Sequence, residues 1–176
     1  MKINGREELA CVVRILDLKT DVVLVEPLDN LPLVSDLVVD MDPFYERQTV
    51  PDMPYIRLSE FLPEAKVAEG IGAYNRFENC LECGLCVSAC PIMGSDPSYL
   101  GPAALAAAWR VVEEPRTSDS QAALEWVDQE SGCWRCHVAY ECTEACPSNV
   151  DPGGAIMGLR GELTKKKFRR LFGGGD

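Results

Sequence analysis

The sequence has little positive charge, no long apolar run and a single histidine. Its 176 residues include 17 Lys and Arg against 28 Asp and Glu, for a net charge of −11. No basic field is available to displace counterions from phosphates, which argues against a nucleic-acid partner. The longest apolar stretches, such as 103–109, are too short to span a bilayer. The first residues have neither the apolar region of a signal peptide nor a twin-arginine motif, so we expect a cytoplasmic protein without a transmembrane segment.

Cysteine, by contrast, is abundant, and eight of the nine cysteines form two clusters. The first comprises Cys80, Cys83, Cys86 and Cys90, followed by Pro91, and the second comprises Cys133, Cys136, Cys142 and Cys146, followed by Pro147. Disulfides are rare in a reducing compartment, and zinc sites use two cysteine pairs without extra thiols. The first spacing is that of bacterial-type iron–sulfur proteins, in which the fourth cysteine binds the other cluster. We therefore predict two iron–sulfur centres with exchanged ligands, in an electron carrier.

The spacing rule assigns a ligand set to each centre. The 4Fe–4S centre takes Cys80, Cys83, Cys86 and Cys146, and the second centre takes Cys90, Cys136 and Cys142. A regular run would place a further cysteine at position 139, which is Ala139. We expect the missing ligand to give a 3Fe–4S centre. Cys133 is either the fourth ligand of a second 4Fe–4S centre or a buried thiol that binds nothing.

Two other residues have roles that the spacing leaves open. Cys11 lies outside both clusters, and a free cysteine on a strand is commonly a small buried hydrophobic residue. His137 follows Cys136 directly and could hydrogen-bond a cluster sulfur, a quinone or a carboxylate. A polar contact without a redox role is the alternative for His137.

The chain divides into a β-rich start and a helical remainder, which predicts an α+β protein. Asn4 and Gly5 give a type I′ hairpin signal, and residues 9–15 and 22–26 are predicted strands. Because only three residues precede this turn, it is either a frayed hairpin or the middle of a folding unit. Prolines among polar residues indicate a linker at 46–75. Alanine-rich 102–110 and the segment from Pro152 are predicted helices, so the cysteines would lie on loops within a helical frame.

The ordered motifs resemble the iron–sulfur subunit of succinate dehydrogenase and fumarate reductase. They are C-L-E-C-G-L-C-V-S-A-C-P at 80–91, Y-L-G-P-A at 99–103, C-H at 136–137, C-T-E-A-C-P at 142–147 and D-P-G at 151–153. Upstream, N-G-R at 4–6, L-A-C at 9–11 and D-L-V-V-D at 36–40 follow the same family. The resemblance therefore extends over essentially the whole chain.

The resemblance implies a fold and a role. The fold would be the remnant of a β-grasp plant-type ferredoxin domain at 1–45, the linker at 46–75 and an α-helical ferredoxin domain at 76–176. The chain would relay electrons, without catalysing a reaction itself, between a FAD-containing flavoprotein subunit acting on succinate or fumarate and a membrane quinone. Membrane anchor subunits would hold it at the cytoplasmic side of the inner membrane. A heterodisulfide-reductase-like or anaerobic glycerol-3-phosphate-dehydrogenase-like complex is the alternative, although those modules usually carry two regular cysteine runs.

The resemblance also bears on the residues left open. Cys11 matches the last of four cysteines that hold a 2Fe–2S centre in that family, and the other three would lie before Met1. A 2Fe–2S centre is therefore expected only if the N-terminal part is supplied. Pro91 and His137 match quinone-side positions, but residues 92–98 contain no aromatic where many family members carry a tryptophan.

Overall fold

The computed structural model of this protein describes residues 1–48, 77, 79–114 and 120–172. The predicted linker at 46–75 lies mostly outside these residues. Its first three residues belong to helix α1, Asp42–Gln48, which therefore runs across the predicted domain limit at residue 45.

A small antiparallel sheet begins the chain. Its strands are β1 (Lys2–Ile3), β2 (Arg6–Glu7) and β3 (Val25–Glu26), which lie in the order β2-β1-β3. Between β1 and β2, Asn4 and Gly5 have φ values of 50° and 78°, as a type I′ turn requires. The predicted hairpin is confirmed. A separate pair, β4 (Leu33–Ser35) and β5 (Val38–Val39), precedes α1.

The strand predicted at 9–15 is wrong, and the one predicted at 22–26 is limited to β3. The Val12 N–H donates to the Leu9 carbonyl at 3.0 Å, and Ile15–Asp17 is a 3-10 helix. The apolar side chains of this segment, such as Leu16 at 88% exposure, face solvent. Strand preference largely reflects packing on a half-buried surface. Since the described residues provide no such surface here, local turns take up the backbone hydrogen bonds.

The rest of the described chain is helical. Its helices are α2 (Leu85–Ser88), α3 (Pro91–Ser95), α4 (Gly101–Glu113), α5 (Gln121–Val127), α6 (Glu141–Glu144) and α7 (Pro152–Phe172), with a 3-10 helix at Cys133–Arg135. The two predicted helices are confirmed as α4 and α7, and α7 extends to Phe172. Small buried residues on α4 let α7 pack closely against it, and Gly158 of α7 lies against the Trp109 ring.

One hydrophobic core joins the start of the chain to the helices. Leu31 and Phe44 are buried in the same cluster as Leu105, Ile156 and Leu159. Polar contacts add to this packing, since the Asn30 side chain hydrogen-bonds the carbonyls at the end of α2. Within the described ranges, no helix is both long and apolar enough to cross a membrane. The segments that carry the cysteines are therefore held between α4, α7 and the N-terminal residues.

Candidate metal centres

The four cysteines of the first predicted centre line one cavity. Cys80, Cys83 and Cys86 belong to the first cysteine loop, residues 80–90, in which Cys86 lies on α2, whereas Cys146 follows α6. The cavity has about 410 Å³ of empty space, including its open part. The four thiols therefore line one shared space, as the ligands of a single metal centre would.

The three cysteines of the second predicted centre line another cavity. Cys90 stands between α2 and α3. Cys136 and Cys142 belong to the second cysteine loop, residues 136–146, in which Cys142 lies on α6. The empty space is about 310 Å³, and Pro91 and His137 also contribute to its wall. His137 is exposed at the surface, so this cavity lies close to solvent on that side.

The cysteine that ends each loop lines the cavity of the other loop. Cys86 lies on α2 and lines the first cavity, while Cys90 is the residue before α3 and lines the second. In the second loop, Cys142 lies on α6 and lines the second cavity, whereas Cys146 lines the first. Proline follows each crossing cysteine and redirects the chain, because its ring fixes φ. The two loops thus exchange one thiol each.

The two loops repeat the same backbone conformation. The interval from Cys80 to Cys86 equals that from Cys136 to Cys142. Residues at matching positions have left-handed φ values, 52° at Glu82 and 62° at Val138, then 76° at Gly84 and 63° at Tyr140. In this register, Ala139 stands where the first loop has Cys83, and Ala139 lines the second cavity. The second cavity therefore has a methyl group at the position of the missing thiol.

Burial raises the pKa of some of these thiols, and backbone N–H groups hydrogen-bond the sulfurs of others. Burial raises the pKa of Cys142 to about 12, with further contributions from Cys90 and Cys136. Burial also raises the pKa of Cys86 well above its ordinary value. Backbone N–H groups approach other sulfurs, from Val138 to Cys136 Sγ and from Val150 to Cys146 Sγ, each at 3.3 Å. A metal group that binds the buried thiols must displace their protons.

Cys133 lies apart from both cavities. Its side chain is fully buried in the helical core, and its thiol lines neither space. Its carbonyl accepts a hydrogen bond from Arg160 Nε at 2.9 Å. Burial raises the pKa of Cys133 to about 11. The structure thus places the Cys133 side chain in the core, and it does not line the cavity that Cys136 and Cys142 line.

Cys11 does not have the buried environment expected of a cysteine on a strand. It is exposed on a turn, because the predicted strand around it does not form. It is the only cysteine in residues 1–46. On its own, this single thiol cannot supply the four cysteine ligands of a plant-type 2Fe–2S centre.

Three residues whose roles were not predicted from the sequence lie near the cysteines. Asn30 donates from Nδ2 to the carbonyl of Cys90 at 3.0 Å, and Arg160 donates to the carbonyl of Cys136 at 2.6 Å. Tyr99 is fully buried and lines the second cavity. Burial, followed by the effect of nearby cysteines, raises the pKa of the Tyr99 hydroxyl. Tyr99 belongs to the conspicuous Y-L-G-P segment, whereas no local pattern distinguishes Asn30 or Arg160.

The arrangement of the thiols fits an iron–sulfur group better than a single ion. A zinc site needs four ligands about 2.3 Å from one point. Among the described residues, no group of three or more Cys, His, Asp or Glu side chains is arranged to hold one metal ion. The cysteines instead line two cavities, four of them the first and three the second. Several soft thiolate ligands that line one space match what an iron–sulfur cluster requires.

Comparison with known proteins agrees with this chemistry. Residues 1–46 match the family described as a 2Fe-2S iron-sulfur cluster binding domain, and residues 76–150 match the 4Fe-4S dicluster domain. The fumarate reductase iron-sulfur subunit of Mycobacterium tuberculosis is 34% identical, over 99% of this chain and 74% of that protein. The corresponding Escherichia coli subunit is 35% identical over 94% and 68%. The succinate dehydrogenase iron-sulfur subunit of Coxiella burnetii is 31% identical over 94% and 72%.

A solved structure shares the fold. A chain of the Mycobacterium smegmatis Sdh1 complex in the apo form superposes with a TM-score of 0.80 at 24% identity. The match covers 94% of this chain and 72% of that one.

Proposed function

Since this chain belongs to the family of fumarate reductase and succinate dehydrogenase iron–sulfur subunits, we propose that it relays electrons between a flavoprotein subunit and a membrane quinone. Electron transfer is the role of an iron–sulfur subunit in such a complex. The partners would be a FAD-containing subunit acting on succinate or fumarate and one or more membrane anchor subunits. The subunit would lie at the cytoplasmic face of the membrane.

The exchange of thiols between the two cavities is the observation that carries this proposal. We propose that the first cavity holds a 4Fe–4S cluster, bound by Cys80, Cys83, Cys86 and Cys146. The second cavity would hold its cluster through Cys90, Cys136 and Cys142. When bound, the clusters supply reversible one-electron chemistry, whose potential depends on hydrogen bonds, charge and exposure. The exchanged cysteines link both sites to the same short segments, which favours two redox sites held close together.

We propose that the second cluster is of the 3Fe–4S type. Ala139 occupies the position equivalent to Cys83 and cannot bind iron. The only other cysteine near this loop in sequence, Cys133, is buried in the core and does not line the cavity. Three thiolates are therefore available there, against four in the first cavity.

The second cavity is also the better candidate for the quinone side. His137 and Pro91 line it, and His137, Val138 and Tyr140 are exposed beside it. A quinone or a membrane subunit could approach this wall without disturbing the core. The His137 imidazole would be available as a hydrogen-bond partner for a quinone oxygen.

Cys11 would take part in a 2Fe–2S centre only together with thiolates that residues 1–46 do not contain. The match of this segment to a 2Fe–2S domain family supports the proposal. Apolar side chains around Cys11, including Val12 at 66% and Ile15 at 77% exposure, offer a surface that further protein could cover.

Electron paramagnetic resonance (EPR) of the anaerobically purified full chain, with iron quantified, tests the cluster content. We expect a near-isotropic signal in the oxidised protein, a cubane signal after reduction, and about seven iron atoms per chain from four plus three. Silence in the oxidised state, with cubane signals on reduction, would instead indicate two 4Fe–4S clusters and would contradict the 3Fe–4S assignment. A colourless zinc protein would contradict electron transfer altogether.

A second experiment tests the relay in the assembled complex. Membranes containing the complex with Cys90→Ser should lose most succinate-driven reduction of a quinone analogue, because the second cluster loses one of three ligands. The matched control is Cys133→Ala, which removes a thiol outside both cavities and should retain the activity. Equal rates in the two variants would rule out the proposed role of the second cavity.

A further inference from the structure

Tyr99 presents a buried hydroxyl without a hydrogen-bond partner at the second cavity. Its side chain is 0% exposed and lines the cavity together with Cys90, Cys136 and Cys142. Its Oη atom finds no partner among the residues that the structure describes. Leaving such a group unpaired destabilises the folded chain, because the hydroxyl gives up its hydrogen bonds to water and gains none. A phenylalanine would fill nearly the same volume without this cost. The Cys136 thiol lies near the Tyr99 hydroxyl, but Oη does not reach it in hydrogen-bond geometry, so the position calls for an acceptor beyond those that the described residues present.

The backbone holds the tyrosine firmly beside the second loop. The Tyr99 N–H donates to the Asp96 carbonyl at 3.2 Å, and the Asp96 carboxylate pairs with Arg135 at 2.6 Å. The next residue, Leu100, donates its N–H to the Ser131 carbonyl at 2.9 Å. The Asp96–Arg135 ion pair and the hydrogen bond from Leu100 tie the turn that carries Tyr99 to the segment that leads into Cys136. These contacts hold the backbone at Tyr99, and the packing of its fully buried ring in the core holds the side chain at the cavity wall.

The cavity offers one kind of acceptor once it is filled as proposed above. A cluster held by Cys90, Cys136 and Cys142 presents inorganic sulfide and thiolate sulfur, both of which accept hydrogen bonds. A phenolic O–H is a neutral donor at physiological pH. A donor to cluster sulfur favours the reduced form, which carries one more negative charge, and so raises the reduction potential.

We infer that Tyr99 is a redox-tuning residue whose Oη–H donates a hydrogen bond to a sulfur of the group in the second cavity. The inference rests on the proposed function, because it requires a cluster bound by these three cysteines. It adds a residue that orients and tunes the group without binding iron. The Tyr99 hydroxyl is the donor of this hydrogen bond, and the bound group would supply its acceptor.

The test is a redox titration of the second centre in the Tyr99→Phe variant of the complex, followed by EPR. We expect the reduced-to-oxidised ratio at a fixed potential to fall about tenfold, which is a shift of about −59 mV for a one-electron couple. Tyr45→Phe is the control, because Tyr45 lines neither cavity and should leave the ratio unchanged. A ratio in Tyr99→Phe equal to that of the control would overturn the inference.

Two further measurements separate tuning from a purely structural role. The apoprotein of Tyr99→Phe should be at least as stable as the wild-type apoprotein, because it no longer buries an unpaired hydroxyl. Wild-type protein reconstituted in D2O should show exchangeable deuterons coupled to the second centre in pulsed EPR, one of them in addition to the Val138 N–H that already approaches Cys136 Sγ. Tyr99→Phe should lack that additional deuteron, and its absence from the wild type would contradict the hydrogen bond even if the variant failed to assemble. Iron analysis of the wild type establishes beforehand whether a second cluster exists, so failure of the proposed function is recognised separately.

Discussion

Replacing Asn30 should loosen the segment that carries Cys90. The Asn30 side chain donates from Nδ2 to the carbonyls of Val87, Ser88 and Cys90 at 2.9, 2.9 and 3.0 Å. Its backbone is left-handed, with φ of 62°, a conformation that asparagine tolerates better than most residues. Asn30→Gly therefore keeps the backbone easy to form and removes only the side-chain hydrogen bonds.

The size of the effect follows from these contacts. The amide has two hydrogens, and each hydrogen bond contributes about 1 kcal/mol net, so the loss is about 2 kcal/mol. For a chain of this size, that corresponds to a melting temperature about 4–8 °C lower. Because the Cys90 carbonyl loses its donor, we also expect a smaller fraction of chains to retain the second cluster.

The assay is anaerobic thermal unfolding followed by circular dichroism, with EPR quantification of the second centre. Asn4→Gly is the matched control, since Asn4 is also left-handed, with φ of 50°, but exposed, and its side chain accepts a single exposed hydrogen bond, from the Leu24 N–H at 2.9 Å. It should lower the melting temperature much less. If Asn30→Gly melted with the Asn4→Gly control and kept its second centre, the three hydrogen bonds would not contribute as described.

Four further substitutions test the site and the helix packing. Ala139→Cys should supply a fourth thiolate, abolish the oxidised EPR signal and add about one iron per chain; retention of that signal would show that position 139 does not face the cluster. Cys133→Ala should leave both clusters intact and cost roughly 1 kcal/mol of stability through lost packing, whereas loss of the second EPR signal would identify it as a ligand. Gly158→Ala would place Cβ 2.5 Å from the Trp109 ring and should destabilise the chain by about 1–3 kcal/mol. Gly161→Ala meets nothing within 4 Å and should instead stabilise α7 by up to about 1 kcal/mol, as thermal unfolding of the pair would reveal.

Local patterns predicted those elements whose physics is itself local. The turn at Asn4 and Gly5 forms because those residues tolerate positive φ. Proline and alanine predicted α4, and Pro152 predicted the start of α7. The strand predicted at 9–15 failed because a strand needs a partner and a covered face, and neither is visible in the local sequence.

The sequence by itself determined which cysteines stand at cluster spacing and that one position, Ala139, lacks a thiol. Only the tertiary structure decided that Cys133 is buried in the core, that Asn30 reaches the Cys90 carbonyl, and that the Tyr99 hydroxyl ends at the second cavity. The reason is one of distance along the chain. Spacing within a loop is set by a few backbone angles, whereas these contacts join residues brought together only when the helices pack around a common core.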